Sequence, residues 1–266
     1  MGTVRILSVW SNPGGSTRAF INLTNLLNDN GIDTVFYGPH EWHLDKCSAA
    51  VTQNLDISNP EDILIAHFIP LQDKKFPLKK IIFSCHETNL FPLKEHSLVS
   101  IDQLHFVSEK QRDWHDVDHS SVVIPNIVNV RKRKSNRKAG AVGIVGSIDS
   151  HKQTALAIQN ALEMEPKSTK VLVFGSVTDL DYFRKEVKPL LENRRVRMMK
   201  ECNDKDTMYD IIDAVYHASK YETYGLVKHE CALHEIPFYD LFKSSSHSEY
   251  WPEERILEEW KKVLTE

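Results

Sequence analysis

No stretch of this 266-residue sequence is apolar for the roughly 18 residues that a membrane-spanning helix needs, so a spanning protein is not expected. The opening "MGTVRILSVW" has too short an apolar run for a secretory leader, and Ile6 breaks the N-myristoylation pattern. Cysteine is scarce. Cys47, Cys85, Cys202 and Cys231 stand far apart and form no CxxC pair, which argues against a disulfide framework or a structural zinc site and fits a reducing cytoplasm. Histidine is frequent, at 13, yet "HEWH" and "HETNL" both miss the spacing that puts two imidazoles on one helix face. No metal site is expected.

The remaining composition, 41% hydrophobic and 26% charged, is that of an ordinary globular chain. Its net charge of −4 is unevenly spread. Residues 1–130 carry 10 basic and 15 acidic side chains, "RKRKSNRK" at 131–138 adds six positive charges, and residues 139–266 carry 17 basic and 22 acidic. Two acidic halves are joined by a basic segment. That segment reads as a solvated hinge, with a phosphate, membrane-surface or nucleic-acid contact as alternatives.

Both halves alternate short apolar runs with helical patterns. "TVRILSVW" reads as a buried strand, followed by the glycine loop "SNPGGS" and a helix from about Ser16 with Phe20, Leu23, Leu26 and Leu27 on one stripe. "DTVFYG", "DILIAHFI", "KIIFSCH", "QLHFVS" and "SVVIPN" follow as strands rich in Val, Ile and Phe. In the second half "AVGIVGS", "KVLVFGS", "RVRMMK", "DAVYHAS" and "IPFYDL" are strands, with helices at 152–163, 178–191, "TMYDII" and 225–234. "EERILEEWKKVL" closes the chain as an amphipathic helix with Ile256, Leu257, Trp260, Val263 and Leu264 on one side. Regular β-α-β alternation predicts parallel sheets. The fold expected is α/β, two Rossmann-like domains facing a cleft: 1–130, a hinge at 131–140, a second domain at 141–250 and a terminal helix at 251–266.

"KYETYGLVKHE" at 220–230 places Glu222 before a glycine and Glu230 inside the helix that follows. A loop at the carboxyl edge of a parallel sheet feeding a helix start is a ready anion site, with the N–H groups of Gly225, Leu226 and Val227 facing outward. Glu222 can accept from sugar hydroxyls and Glu230 can reach a ribose diol. The plain alternative is a capped surface helix with two solvated acids.

"SKYETYGLVKHECALHEIP" resembles the signature of nucleotide-sugar glycosyltransferases of the GT-B fold, especially the retaining family four. Ser219, Glu222, Tyr224, Gly225, Leu226, Glu230, Ala232 and Pro237 match it, while Cys231 and Glu235 depart from it. The resemblance implies that Glu222 contacts the transferred sugar and Glu230 the nucleotide ribose. "VGSIDSHKQ" resembles the segment whose arginine and lysine clamp the donor diphosphate; Lys152 matches the lysine, and Ser147 stands where the arginine belongs. Gly175 in "VLVFGS" would lie near the base or phosphates, and Gly14 and Gly15 would face the phosphates from the first domain. "VIPNIVN" and "FVSEKQRDW" also match in order, with Ile127 in place of the usual glycine. His67 and His86 end strands, and His86 resembles the family histidine that contacts the donor sugar; core histidines are the plain alternative.

The resemblance implies a metal-independent glycosyltransferase with no cofactor, using a nucleoside-diphosphate sugar, first of all a UDP-sugar, with Glu222, His86 and Lys152 at the reacting end. The D-x-D formed by Asp179 and Asp181 reads as a helix cap rather than a metal site. The acceptor is expected to be a saccharide or a lipid-linked group. A modified base in DNA is the alternative within the class, and an inactive nucleotide-sugar-binding protein is the alternative outside it.

Overall fold

The computed structural model describes residues 2–8, 15–38, 44–67, 76–87, 98–132, 139–200, 202 and 204–266. The chain divides into two compact units, Met1–Ile127 with Ser248–Glu266, and Val128–His247.

The first unit contains β1 (Val4–Leu7), α1 (Gly15–Asp29), β2 (Thr34–Tyr37), β3 (Ala50–Thr52), β4 (Ile63–Ala66), β5 (Lys80–Cys85), β6 (Gln103–Phe106), α2 (Glu109–His115) and β7 (Ser121–Val123). All seven strands pair in parallel, in the order β3-β2-β1-β4-β5-β6-β7. The sheet is covered on both faces, which is why its strands read as continuous apolar runs. Ile63, Ile65 and Ile82 point to one cluster with Phe20, Leu23, Leu26 and Leu27 of α1. Leu64, Ala66, Ile81 and Phe83 point to the other. α1 ends at Gly31, whose φ of 77° lets Gly31 and Ile32 N–H close back on the Asn28 and Leu27 carbonyls.

The second unit contains β8 (Ala141–Val145), α3 (Thr154–Met164), β9 (Lys170–Phe174), α4 (Leu180–Tyr182), β10 (Val196–Lys200), α5 (Lys205–Asp210), β11 (Val215–His217), α6 (Leu226–Leu233) and β12 (Phe238–Asp240). Its parallel sheet runs β10-β9-β8-β11-β12. The expected helix over 178–191 is broken. After α4 the ladder widens to a π turn at Phe183–Val187 and tightens to a 3-10 turn at Lys188–Glu192. Pro189 explains this: it has no N–H to give, and its ring would collide with the carbonyl four residues back.

The terminal helix α7 (Glu253–Thr265) belongs to the first unit. Ile256, Trp260, Val263 and Leu264 are buried in the cluster built from α1, β1 and β4, and Lys80 Nζ donates to the Val263 carbonyl at 2.7 Å. The predicted stripe is therefore correct, and its partner is the sheet of residues more than 150 positions earlier. At the start of the basic segment, Arg131 pairs with Asp206 and Asp210, and Lys132 with Glu235. All belong to the second unit; residues 133–138 lie outside the described residues.

Candidate functional site

In the second sheet the strand order reverses at β8 and β11. Loops leaving the carboxyl ends of two such strands diverge and open a crevice between them, the usual place for a ligand in an open α/β sheet. The loop after β8 leads to Lys152, and the loop after β11 carries Glu222.

These two side chains meet. Lys152 Nζ lies 2.5 Å from Glu222 Oε1, and His217, the last residue of β11, brings Nε2 to 2.9 Å of the same oxygen. Burial by itself raises a carboxyl, but Lys152 and then His217 outweigh it and hold Glu222 well below the usual carboxylate range. An ionised carboxylate only accepts, so His217 Nε2 carries its proton and donates. Sequence reasoning missed His217. Its position at a strand end was the available signal, the same one that singled out His67 and His86.

The turn that presents Lys152 is built on Asp149. Asp149 Oδ1 accepts from Lys152 N at 2.7 Å, and Oδ2 accepts from Ser147 Oγ at 2.6 Å and Thr178 Oγ1 at 3.0 Å. Burial opposes ionisation of Asp149, and the Ser147 and Lys152 bonds prevail, so its carboxyl stays below its ordinary value. Ser147, where the family signature has arginine, thus holds an acid and brings no cation.

Gly225 adopts φ 76° and ψ 56°, and a Cβ there would sit 2.4 Å from the Ser245 Cβ. Glycine at this position is demanded by both backbone and packing. α6 then begins with no side-chain cap. Leu226 and Val227 in its first turn are half-buried. Glu230, one turn on, is 5% exposed, and its Oε2 receives Lys205 Nζ at 3.0 Å and Tyr209 OH at 2.5 Å.

Tyr224 and Gly175 also serve the packing of the fold. Tyr224 is 1% exposed and stacks on His229 with ring centroids 4.6 Å apart, so it packs beneath the loop as a core side chain. At Gly175 a Cβ would come within 1.8 Å of the Gly146 carbonyl oxygen; close approach of two backbone segments accounts for this glycine. Gly15 opens α1 and is exposed, and Gly14 lies outside the described residues. Asp179 caps α4, accepting from Tyr182 N at 2.9 Å, as the cap reading predicted. Among the described residues no group of three or more His, Cys, Asp or Glu is placed to hold a metal ion, and no helix is long and apolar enough to cross a membrane.

In the first unit a pocket is lined by Phe20, Leu23, Ser84, His86, His105 and Trp260, among others. His67 is buried, its Nε2 3.2 Å from Glu87 Oε2, and its ring centroid lies 5.3 Å from that of His86. Burial pushes the His105 imidazole down to about 4, and burial with neighbouring His67 and His105 pushes His86 well below its ordinary value. The unfolded chain protonates these rings at about 6.5 and the native fold resists it. Their contribution is therefore complete above pH 6.5 and is lost as pH falls toward 4. Calorimetry at steps from pH 7.5 to 5 is expected to show the melting temperature falling below pH 6.5. Glu222, a carboxyl also held below its ordinary value, loses its contribution only below its unfolded value near 4.5. A melting temperature unchanged down to pH 5 would contradict the neutral histidine cluster.

Residues 128–237 match the family model of glycosyl transferases group 1, within the second unit. No curated protein matches the chain. Among solved structures, the pneumococcal O-GlcNAc transferase GtfA, in complex with UDP and GlcNAc, aligns at a TM-score of 0.69 and 8% identity over 99% of this chain and 98% of that one. HepE of Anabaena, in complex with UDP and glucose, aligns at 0.66 and 14% identity, over 89% of this chain and 80% of that one. WaaG, a glycosyltransferase involved in lipopolysaccharide biosynthesis, aligns at 0.65 and 15% identity, over 99% and 90%. The GT-B likeness read from the sequence holds, at family level over residues 128–237 and as a fold over the chain.

Proposed function

We propose that the chain is a glycosyltransferase that moves a sugar, with retention and without a metal ion, from a nucleoside-diphosphate sugar to a hydroxyl of a saccharide or lipid-linked acceptor. The observation that carries this reading is the meeting of Lys152, Glu222 and His217 at the strand-order reversal, beside the uncapped start of α6. A UDP-sugar is the first donor to test, because HepE and GtfA are described with UDP.

In this reading the bond from the anomeric carbon to the diphosphate oxygen breaks, and its electron pair leaves with the diphosphate. The acceptor oxygen bonds to the same face of that carbon, and its proton passes to the departing phosphate oxygen. Lys152 exchanges part of its contact with Glu222 for the growing charge on the leaving group, where a preorganised cation acts most strongly. Glu222, kept ionised, accepts hydrogen bonds from sugar hydroxyls. Glu230 takes the ribose, and the helix start at Gly225 suits a phosphate. The four cysteines are free, the state a reducing cytoplasm maintains, and we place the protein there.

A second reading has one observation in its favour. Ser147 holds Asp149 and offers no second positive charge, so the chain could bind a nucleotide sugar without turning it over. The two are separated by incubating the protein with UDP-, GDP-, ADP- and TDP-sugars and measuring both nucleotide release and thermal stabilisation. The transferase reading expects slow release from one donor. Lys152→Ala is expected to lower kcat/KM for that donor about tenfold or more, the worth of one charge-assisted contact to the leaving group. Stabilisation without release, with or without candidate acceptors, would favour the binding protein; neither effect with any donor would remove the donor-site reading.

A further inference from the structure

Glu222 receives two donors on one oxygen, and they differ in how firmly they are held. Lys152 Nζ lies 2.5 Å and His217 Nε2 2.9 Å from Glu222 Oε1, while no described residue bonds to Oε2. The Lys152 side chain is 26% exposed, and its ammonium rides on a flexible four-carbon stem. His217 is 7% exposed, ends β11 and lies against Phe238 with ring centroids 5.3 Å apart. Asp240, across the register on β12, is the further charged group that interacts with His217, and its own Oδ2 accepts from Ser245 N and Oγ. Lys152 can leave the carboxylate by turning its stem, whereas His217 is fixed by its strand and its packing.

We infer that His217 is a positioning residue that stays on Glu222 Oε1 when Lys152 turns to a phosphate, so that the carboxylate keeps its place and presents Oε2 to a hydroxyl. This rests on the transferase reading above, in which the leaving diphosphate draws the Lys152 ammonium. A mostly buried carboxylate stripped of every partner is strongly disfavoured. Burial alone would push Glu222 upward until it took a proton, and its new O–H would meet sugar hydroxyls where they need an acceptor. With His217 in place one charge-assisted hydrogen bond remains, and the ion pair opens without Glu222 becoming neutral. No proton moves in this exchange. His217 Nε2 donates before and after, and Lys152 alone changes partner. Ser147 raises the stakes: it holds Asp149 and brings no cation, so the leaving group draws on the charge that Glu222 releases.

Lys152→Ala imitates the departed lysine, so the decisive measurement needs no ligand. The full chain, labelled with carboxyl-carbon-13 glutamate, is titrated by NMR, with the Glu222 signal assigned by its loss in Glu222→Gln and the fold followed by circular dichroism. In Lys152→Ala, Glu222 is expected to be ionised at pH 7. Adding His217→Phe keeps a ring against Phe238 and removes the N–H; the Glu222 midpoint is then expected to rise by about one pH unit or more, the effect of a lost hydrogen bond to the charged form. Adding His217→Gln instead, whose amide N–H takes the place of Nε2–H, is expected to hold the midpoint within about half a pH unit of Lys152→Ala. In donor turnover, His217→Phe alone is expected to lower kcat about tenfold or more with the donor KM within about twofold, because the ion pair then opens less readily to the leaving group. His217→Gln is expected to keep kcat within about threefold. Glu222 protonated at pH 7 in Lys152→Ala overturns the inference even if the Phe variant fails to fold, and in folded variants a midpoint indifferent to His217 overturns it whatever the activity. The expected titrations together with a protein that releases nucleotide from no donor uphold His217 as the holder of Glu222 and sink the transferase reading instead.

Discussion

Glu222→Gln is expected to cut nucleotide release from the productive donor by about a hundredfold or more while leaving the protein folded. The size follows from what the carboxylate does. It is a mostly buried anion with Lys152 at 2.5 Å and His217 at 2.9 Å on one oxygen. Amide replacement keeps shape and loses charge, and a single preorganised charged partner lost from such a site removes roughly 10² to 10³ in rate. Folding should survive. The Lys152 side chain is 26% exposed and can turn its ammonium to water, so no uncompensated buried cation is left. Circular dichroism and a melting curve on the variant separate the two effects. Turnover within threefold of wild type, in a folded variant, would move the reacting end away from Glu222.

The largest stability effect is expected from Gly175→Ala. The new methyl would stand 1.8 Å from the Gly146 carbonyl oxygen, a contact with backbone on a neighbouring strand end, and φ at Gly175 is 152°. Neither atom belongs to a flexible side chain, so relief requires the β8 and β9 ends to part. We expect a loss of about 4 kcal/mol or more, among the larger single-residue costs. The melting of the second unit should fall by ten degrees or so on the scale of two to four degrees per kcal/mol. Gly31→Ala is the comparison. It shares a positive φ, 77°, but nothing lies within 4 Å of the added carbon, so the cost is about 1 kcal/mol from backbone conformation alone. If the two variants melted alike, backbone dihedral and not close approach would govern Gly175.

The strands were legible because a sheet covered on both faces writes itself as runs of Val, Ile and Phe. The α1 stripe was legible because Phe20, Leu23, Leu26 and Leu27 recur at helical spacing, and all four are buried. The acid-glycine-acid segment was legible as a strand-loop-helix junction. The pairing of Lys152 with Glu222 was not: they lie 70 residues apart, and only the adjacency of β8 and β11 brings them together. Spacing locates strand ends, whereas strand order decides which ends are neighbours. The same limit applies to α7. An amphipathic stripe announces that a face is buried without saying against what. The burial of Tyr224 was not legible for another reason. Beside Gly225 in an irregular loop there is no alternation to tell inward from outward, and the ring turns in onto His229.

The return of α7 to the first unit also sets an order of events on the ribosome. Trp260 fills a cluster whose other walls, Val4, Ile6 and Phe20, emerge early in synthesis. The second unit, Val128–His247, is fully encoded before Trp260 is made and contains all its own strands. The nascent chain therefore carries its first domain open, with an apolar face of α1 and β1 uncovered, while the middle of the protein closes.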